Sequence, residues 1–256
     1  MYTHNKKIII IILFFITCII FYVNYNIELF NTIESSDKKI ILLTQYYVTD
    51  LENRQQELDE TLINNINHPL INEIHLFVEK DYNFDSIQSK VTNFNKVKLI
   101  KTDKRLNYKM CFDYSNKNIA DNNIVILANS DIYFNKTLSN IFKENLHNTF
   151  LAITRYELPD LKIATAEWSS WSQDVWVWQS PLNIVKNNTN LDYFNNGITL
   201  GLWGCDNRIL KIVKDAGYSI KNPCNKIICI HNHKSDKRED NRQRVPGPYE
   251  LLSCLE

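Results

Sequence analysis

The sequence carries no net charge, and this limits the partners that the protein can have. Lysine plus arginine and aspartate plus glutamate number 29 each, so the formal net charge at pH 7 is zero. A basic stripe interleaved with aromatic residues, the usual signature of a nucleic-acid interface, is also missing. We therefore predict no nucleic-acid partner.

Internal repeats, low-complexity linkers and zinc-ribbon cysteine spacings are absent as well. Glycine occurs only 5 times in 256 residues, and we attribute this to overall composition rather than to function. Cys18 lies in an apolar N-terminal run, and the five other cysteines cannot all pair with one another, so the disulfide connectivity stays open. This length suffices for one α/β domain behind an N-terminal segment.

The long apolar run at the N-terminus predicts a membrane anchor. Lys6 and Lys7 precede an uninterrupted apolar run from Ile8 to Val23, which would span about 24 Å as a helix. A cleaved signal peptide would end in a small-residue site, which is absent here, and a buried core helix would not start directly behind two lysines.

The lysines before the run place the N-terminus in the cytosol and the domain across the membrane, which is type II topology. In a eukaryotic cell the domain would face the ER or Golgi lumen; a viral protein would use a viral or host membrane. The predicted parts are a cytosolic N-terminus 1–7, a transmembrane signal anchor 8–24, a stem 25–37 and one folded domain 38–256.

Strands and helices alternate behind the stem, which predicts an α/β fold. Such an order favours a mostly parallel central sheet with helices on both faces. Ligands of such sheets bind beyond the carboxyl ends of the strands. The predicted strands are 39–48, 74–79, 97–101, 124–128, 150–154 and 227–230, and the main helices are 51–66, 108–118, 138–146 and 207–216.

An acidic residue follows the most apolar strand. The run IVILA at 124–128 leads directly into Asn129, Ser130 and Asp131. A carboxylate at this place can hold Mg²⁺ or Mn²⁺ against a diphosphate. The alternative is that Asp131 only caps a turn, because Asn, Ser and Asp are common turn residues.

Two more acids and two histidines lie next to predicted strands or helices. Asp174 precedes the apolar run VWVW, and Asp206 is a predicted N-cap that could also serve as a base beside a cleft. His231 and His233 are two residues apart on an extended segment, so both imidazoles face the same side, and one of them could complete a metal site. Structural roles are the alternative for each.

The C-terminal part is rich in arginine and tryptophan. Arg238, Arg242 and Arg244 could clamp a diphosphate, although a solvated loop is the alternative for this charge-dense stretch. Tryptophans stack on sugars as often as they fill cores, and we expect one or two to face a ligand. They are Trp168, Trp171, Trp176, Trp178 and Trp203.

Several of these segments together resemble a known group of proteins. The ordered set ILLTQYY, VILANSDIYF, FLAITRYE, SQDVWVW, GLWGCDNRIL, HNH and RVPGP resembles glycosyltransferase-like proteins of bacteria, protists and large DNA viruses. These are similar to nucleotide-sugar transferases of the GT-A fold. The resemblance covers most of Lys39 to Tyr249 and implies that fold and activity.

The resemblance also implies roles for single residues. Asp131 with Asn129 would correspond to the DxD element that holds the metal and the donor diphosphate, and His231 or His233 to a late metal-binding histidine. Asn129 stands in place of the usual first acid, which leaves a metal-poor or inactive variant as an alternative. The other implied roles are nucleotide contact for Thr44 and Arg54, donor-sugar or acceptor contact for Asp174, and the acceptor-side base for Asp206.

These features together predict an enzyme that transfers a sugar from a nucleotide-sugar donor to a glycan, glycoprotein or glycolipid hydroxyl. Its predicted cofactor is Mn²⁺ or Mg²⁺, and its further partner is the lipid bilayer. One rival is a sugar- or nucleotide-sugar-binding protein without turnover, which Asn129 favours. A second rival is a membrane-tethered scaffold, which would need none of these acids and histidines together.

Overall fold

A computed structural model of the protein describes residues 16–17, 37–163, 169–184, 197–234 and 243–254. The chain divides into two compact units, Met1–Asp37 and Lys38–Glu256. Apart from the helical pair Ile16 and Thr17, the predicted anchor 8–24 lies outside the described residues. Within the described ranges, no helix is both long and apolar enough to cross a membrane. The anchor and the stem therefore stay predictions.

The central sheet of the second unit is mostly parallel, as the sequence predicts. Its strand order is β10-β6-β9-β4-β1-β2-β3. Strand β9 runs antiparallel to β4 and β6, and the remaining neighbouring pairs of this sheet are parallel. The strands are β1 Ile40–Tyr46, β2 Ile71–Val78, β3 Val97–Lys101, β4 Ile124–Ala128, β6 Thr149–Ile153, β9 Val175–Gln179 and β10 Ser219–Lys221.

Both faces of this sheet are covered. Ile40, Ile41, Leu42 and Leu43 are consecutive in β1 and all expose 2% or less of their surface. Because successive side chains of a strand point to opposite faces, neither face is open to water there. The helices are α1 Glu52–Asn67, α2 Asp85–Gln88, α3 Tyr108–Asn118 and α4 Cys205–Asp215, and the 3₁₀ helices are Phe94–Lys96, Lys136–Lys143 and Ser169–Trp171.

One predicted helix has a different form. The segment expected as a helix over 138–146 is a 3₁₀ helix at Lys136–Lys143. Its buried residues Leu138 and Ile141 are three positions apart, and side chains at i and i+3 align in a 3₁₀ helix. Asn135 supports the first turn, because its side chain accepts a 2.9 Å hydrogen bond from the amide of Thr137.

The core beside α3 and α4 is aromatic, and Trp178 lies within it. Its ring centroid is 5.1 Å from that of Phe112 and 5.9 Å from that of Phe150, and the residue is fully buried. We expect Trp178→Ala to lower the free energy of unfolding by about 3–5 kcal/mol, through the lost contacts and the cavity left behind.

Chemical denaturation of the two proteins measures this change. Trp203→Ala is the matched control because Trp203 is 61% exposed, and it should change the free energy of unfolding by about 0.5 kcal/mol or less. Equal losses of unfolding free energy in Trp178→Ala and Trp203→Ala would contradict the buried position of Trp178.

Candidate active site

A small second sheet stands at the carboxyl end of β4 and assembles the candidate site. Its strand order is β5-β11-β7-β8, with β5 Ile132–Phe134, β7 Tyr156–Glu157, β8 Lys162–Ile163 and β11 Cys229–His231. Within it, His231 pairs with Ile132 on one side and with Glu157 on the other. Asp131 directly precedes β5, so three titratable side chains from distant parts of the chain meet here.

The carboxylate of Asp131 contacts one guanidinium and one imidazole. Its Oδ2 lies 2.7 Å from Arg54 Nη2 and 3.2 Å from His231 Nε2. Burial alone raises the pKa of Asp131, but His231 and Arg54 outweigh it and hold the pKa well below its usual range. Asp131 is therefore an anion at neutral pH, held in place by groups from α1 and β11.

His231 is held on both ring nitrogens. Its Nδ1 lies 2.7 Å from Glu157 Oε2, and its Nε2 faces Asp131. Burial lowers the pKa of His231, but the hydrogen bonds to the two carboxylates outweigh it and raise the pKa to about 9. For Glu157, burial raises the pKa, but His231 and Arg155 outweigh it and lower the pKa to about 2. The imidazole orientation is thus fixed by carboxylates on both sides.

His233 stacks on His231, which confirms the predicted placement of both imidazoles on one side. The two ring centroids are 5.2 Å apart and the ring planes differ by 1°. Arg54 Nη1 lies 2.9 Å from His233 Nδ1 and also 2.9 Å from Glu57 Oε2. The guanidinium of Arg54 therefore bridges Asp131, His233 and Glu57.

The ligand atoms of Asp131, His231 and His233 fit a divalent cation. They lie within 4.8 Å of one another, and one carboxylate with two imidazoles is a common donor set for transition metals. Mg²⁺ prefers oxygen ligands and water, so the imidazoles favour Mn²⁺ over Mg²⁺. In the structure the Arg54 guanidinium contacts Asp131 and His233, so a cation would compete with Arg54 for Asp131 and with the proton of His231, whose pKa is raised to about 9.

Asn129 does not join Asp131 as a second ligand in this arrangement. Its Nδ2 donates to Asp174 Oδ1 at 2.8 Å, and its backbone amide donates to the Asp174 carbonyl at 3.1 Å. Arg155 Nη1 lies 2.6 Å from the other carboxylate oxygen of Asp174 and its Nε lies 2.7 Å from Glu157. Asp174 is 8% exposed, so its carboxylate is engaged within the protein.

Asp206 lies at the same edge of the sheet as Asp174. Because β9 is antiparallel to β4, its first residue, Val175, pairs with the last residue of β4, Ala128. Gln173, two residues before β9, donates its backbone amide to Asp206 Oδ2 at 3.1 Å. The N-cap of α4 is Gly204, with φ of 76°, and not Asp206 as predicted. The left-handed backbone favours glycine at the cap, and this places Asp206 in the first turn.

Asp206 has an unusual affinity for protons. Burial raises the pKa of its carboxyl group to about 7; the amide of Gln173 opposes this shift and the charge of Asp174 adds to it. A carboxyl group with a pKa near neutrality is suited to accept a proton from a substrate hydroxyl.

The remaining predicted residues are distributed differently. Thr44 is 6% exposed and lies within β1. Arg244 stacks on Trp171 and Tyr249 beside α4 rather than within the Asp131 cluster. Arg238 and Arg242 lie outside the described residues, as does Trp168. Of the other tryptophans, two are buried in the core, Trp176 and Trp178.

Sequence reasoning missed Glu157, Arg155 and Glu57. Arg155 and Glu157 follow β6 closely, so the rule that ligands bind beyond the carboxyl ends of strands points to them. Glu57 lies on α1 one turn after Arg54, and its role depends on the approach of β11 from the far end of the sequence. No local pattern in the amino-acid sequence indicates that approach.

Glu157 supports His231 from behind, as carboxylates do for metal-binding histidines. We expect Glu157→Gln to weaken Mn²⁺ binding by about 10–100-fold, because the supporting carboxylate orients the imidazole and raises its basicity. Titration of free Mn²⁺ by electron paramagnetic resonance measures the affinity. Asp160→Asn is the control, since this exposed acid pairs with Lys162. Unchanged affinity in Glu157→Gln would show that Glu157 does not support a metal-binding His231.

Comparison with known proteins bears on the fold. No protein-family model matches the chain, and no curated protein matches it. Solved structures do match. TarS 1-349 from S. aureus in complex with UDP-GlcNAc is similar over 81% of this chain and 62% of its own, at 13% identity and a TM-score of 0.50.

Two further structures are similar at slightly lower TM-scores. The mannosyltransferase PcManGT from Pyrobaculum calidifontis, in complex with GDP-Man and Mn²⁺, matches 79% of this chain and 59% of its own, at 13% identity and a TM-score of 0.47. The inositol-1-phosphate CTP transferase from T. maritima matches 80% of this chain and 93% of its own, at 11% identity and 0.49. This chain thus spans about six-tenths of TarS 1-349 and of PcManGT.

These identities are low, and the likeness to TarS is a likeness of fold. It confirms the predicted GT-A-like α/β architecture with a mostly parallel central sheet.

Proposed function

We propose that the protein is a glycosyltransferase that moves a sugar from a nucleotide-sugar donor to a hydroxyl acceptor, assisted by a divalent cation. The observation that carries the proposal is the cluster of Asp131, His231 and His233 beyond β4, with Asp206 at the same edge of the sheet. The donor class is supported by the structure of TarS, which has this fold and contains UDP-GlcNAc.

Asp131, His231 and His233 would hold the cation. When bound, it would neutralise charge on the leaving diphosphate, which is a large electrostatic requirement of such transfers. Arg54 is the second cationic group at this place, and its guanidinium fork is well shaped for phosphate oxygens. Arg54 would thus serve the donor side, together with Thr44 in β1.

Asp206 would act on the acceptor side. In an inverting reaction its carboxylate accepts the proton of the acceptor hydroxyl as the oxygen attacks the anomeric carbon. Asp174, engaged by Arg155 and Asn129, would act as a fixed negative charge near Asp206 and keep the pKa of that base high. Donor and acceptor would therefore meet between the Asp131 cluster and the first turn of α4.

The proposal is tested by release of nucleotide from a panel of nucleotide sugars by the purified protein. The expected result is release from one donor class that depends on added Mn²⁺ and is faster with an acceptor present. A folded protein that releases nucleotide from no donor, with and without Mn²⁺, would refute the transferase proposal.

A sugar- or nucleotide-sugar-binding protein without turnover is the second candidate. The observation that favours it is the place of Asn129, whose side-chain amide is engaged by Asp174 while Arg54 already neutralises Asp131. For this candidate, a nucleotide sugar binds without Mn²⁺ and is recovered intact.

We also propose that residues 8–24 anchor the protein in the bilayer with the domain in an oxidising lumen or at a cell or virion surface. Cys224 and Cys254 form a disulfide with a Cα–Cα distance of 5.5 Å, and such bonds persist mainly outside reducing compartments. Protease protection of the domain in sealed microsomes tests the topology. Digestion of the domain without detergent would contradict it.

A further inference from the structure

An aromatic and cationic surface lies beside Gly204, two residues before Asp206, and has no role in the site described above. Arg244 is exposed, and its guanidinium carbon lies 5.4 Å from the ring centroid of Trp171 and 5.2 Å from that of Tyr249. Its Nε donates a 3.3 Å hydrogen bond to the Tyr249 hydroxyl. Trp203 pairs with Arg244 through the backbone and is 61% exposed.

The charge of Arg244 lacks a carboxylate partner in the described part of the chain. Arg54 and Arg155 each pair with two carboxylates, and no such pair involves Arg244 among the described residues. Two aromatic rings and the Tyr249 hydroxyl fix the guanidinium, and no carboxylate of the described residues pairs with its terminal nitrogens. A fixed, unpaired guanidinium binds phosphate or carboxylate well because little side-chain entropy is lost on binding.

The position of Arg244 relative to Asp206 follows from Gly204. A Cβ atom at Gly204 would lie 3.5 Å from Arg244 Nε and 3.1 Å from a Tyr249 ring carbon. Gly204 is two residues before Asp206, so their Cα atoms are no more than about 7 Å apart. Arg244 Nε therefore lies within about 12 Å of the Asp206 Cα atom.

The segment that carries Arg244 is firmly attached to the same part of the fold. Arg208 Nη1 donates to the carbonyl of Pro248 at 2.9 Å, and Asn207 Nδ2 donates to the carbonyl of Glu250 at 3.1 Å. The disulfide to Cys224 fixes Cys254, near the C-terminal end of this segment. The surface is therefore built by buried contacts rather than by a chance approach of exposed side chains.

We propose that Trp203 and Arg244 form an acceptor subsite for a sugar that carries an anionic group, a phosphate or a carboxylate. The inference rests on the proposed transferase function. Trp203 offers its exposed face to the sugar ring, and Arg244 binds the anion. Without this guanidinium, the negative charges of Asp206 and Asp174 would repel such an acceptor.

The test is binding of three small sugars to the full-length protein in a neutral detergent, by isothermal titration calorimetry. Glucose 6-phosphate and glucuronate represent the two anions, and glucose is the neutral probe. At least one anionic sugar is expected to bind about tenfold or more tightly than glucose, and Arg244→Gln should remove this preference. Lys117→Gln, which removes an exposed charge from α3, should retain it. Trp203→Ala should weaken all three sugars by about tenfold.

Several outcomes would overturn the subsite. Equal affinity for charged and neutral sugars would do so, as would an anion preference that survives in Arg244→Gln. If Arg244→Gln weakens UDP or GDP binding instead, Arg244 belongs to the donor diphosphate, and the acceptor subsite is wrong. An anion preference that depends on Arg244, in a protein that releases nucleotide from no donor, would support the subsite and refute the transferase function.

Discussion

Asp131→Asn is expected to lower Mn²⁺-dependent nucleotide release by about 10³-fold, the largest loss that we expect from one substitution outside the acceptor side. The neutral amide keeps the shape of the side chain but removes the charge that would hold a cation beside His231 and His233. It also leaves the Arg54 guanidinium without the partner that lies 2.7 Å away. Both effects act on the donor diphosphate, so release should fall with and without an acceptor.

The experiment compares nucleotide release at saturating donor over a range of Mn²⁺ concentrations. Asp81→Asn is the matched control, because Asp81 is exposed and pairs only with Lys101 among the described residues. Thermal unfolding of each variant separates loss of the site from loss of the fold, since breaking a partly buried ion pair can cost about 3–5 kcal/mol. Full activity of a folded Asp131→Asn protein would exclude Asp131 from cation and donor binding.

Arg54 provides an internal check on the same site. Its guanidinium competes with a cation for Asp131 and for His233. Arg54→Gln should therefore leave Mn²⁺ binding intact or tighter, even though donor affinity falls because a phosphate contact is lost. Opposite shifts in the affinities for cation and donor would separate the role of Arg54 from that of Asp131.

The central part of the fold could be predicted because its signals are local. The run IVILA at 124–128 is apolar throughout, as expected for a strand buried on both faces, and β4 has these bounds. The helix predicted over 108–118 is also found with these bounds, and Asn107 caps it by accepting from the Met110 amide. Alternation of such segments is sufficient to predict a mostly parallel sheet.

Only one strand of the small sheet could be predicted: the strand expected over 227–230 is found as β11, Cys229–His231. The strands β5, β7 and β8 are two or three residues long, too short to show the period-two pattern that identifies a strand. Their pairing joins segments that are far apart in sequence, such as Ile132 with His231. This sheet is nevertheless the element that brings Asp131, Glu157 and His231 together.

The same limit applies to the roles of single residues. Position after a strand is enough to select Asp131, but not to show that Asn129 turns to Asp174 instead of to Asp131. Which acid a given arginine binds depends on side-chain packing in three dimensions. Arg54 and Arg155 pair with four acids, which are Glu57, Asp131, Glu157 and Asp174. His231 links Asp131 to Glu157, so these residues form one network that no spacing in the sequence describes.

Asp206→Asn is expected to lower transfer to the acceptor by about 10²–10⁴-fold, because the amide cannot accept the hydroxyl proton. The protonated carboxyl group of the wild type is equally unable to do so. Since the pKa of Asp206 is raised to about 7, kcat/KM of the wild type should rise about tenfold per pH unit below pH 7 and level off above it. Asp206→Asn should show only a low remaining kcat/KM, which does not change with pH.

Stability should change in the opposite direction from activity. The folded-state pKa of Asp206 lies above its unfolded value of 3.8, so the folded protein binds the proton more tightly. The ionised side chain therefore destabilises the fold progressively as pH rises from about 4 to 7, and most fully above pH 7. Asp206→Asn should accordingly be more stable than the wild type at pH 8, by on the order of 1–2 kcal/mol, and close to it at pH 4.

Urea unfolding at the two pH values, together with the pH profile of transfer, tests both halves of this argument. Asp215→Asn, in the last turn of the same helix, is the control for a general effect of charge on α4. A variant that loses transfer but gains no stability at pH 8 would show that Asp206 is not held with a raised pKa. A gain in stability with transfer intact would show that the base is a different residue. Only loss of transfer together with increased stability fits a base that the fold keeps at a cost to its own stability.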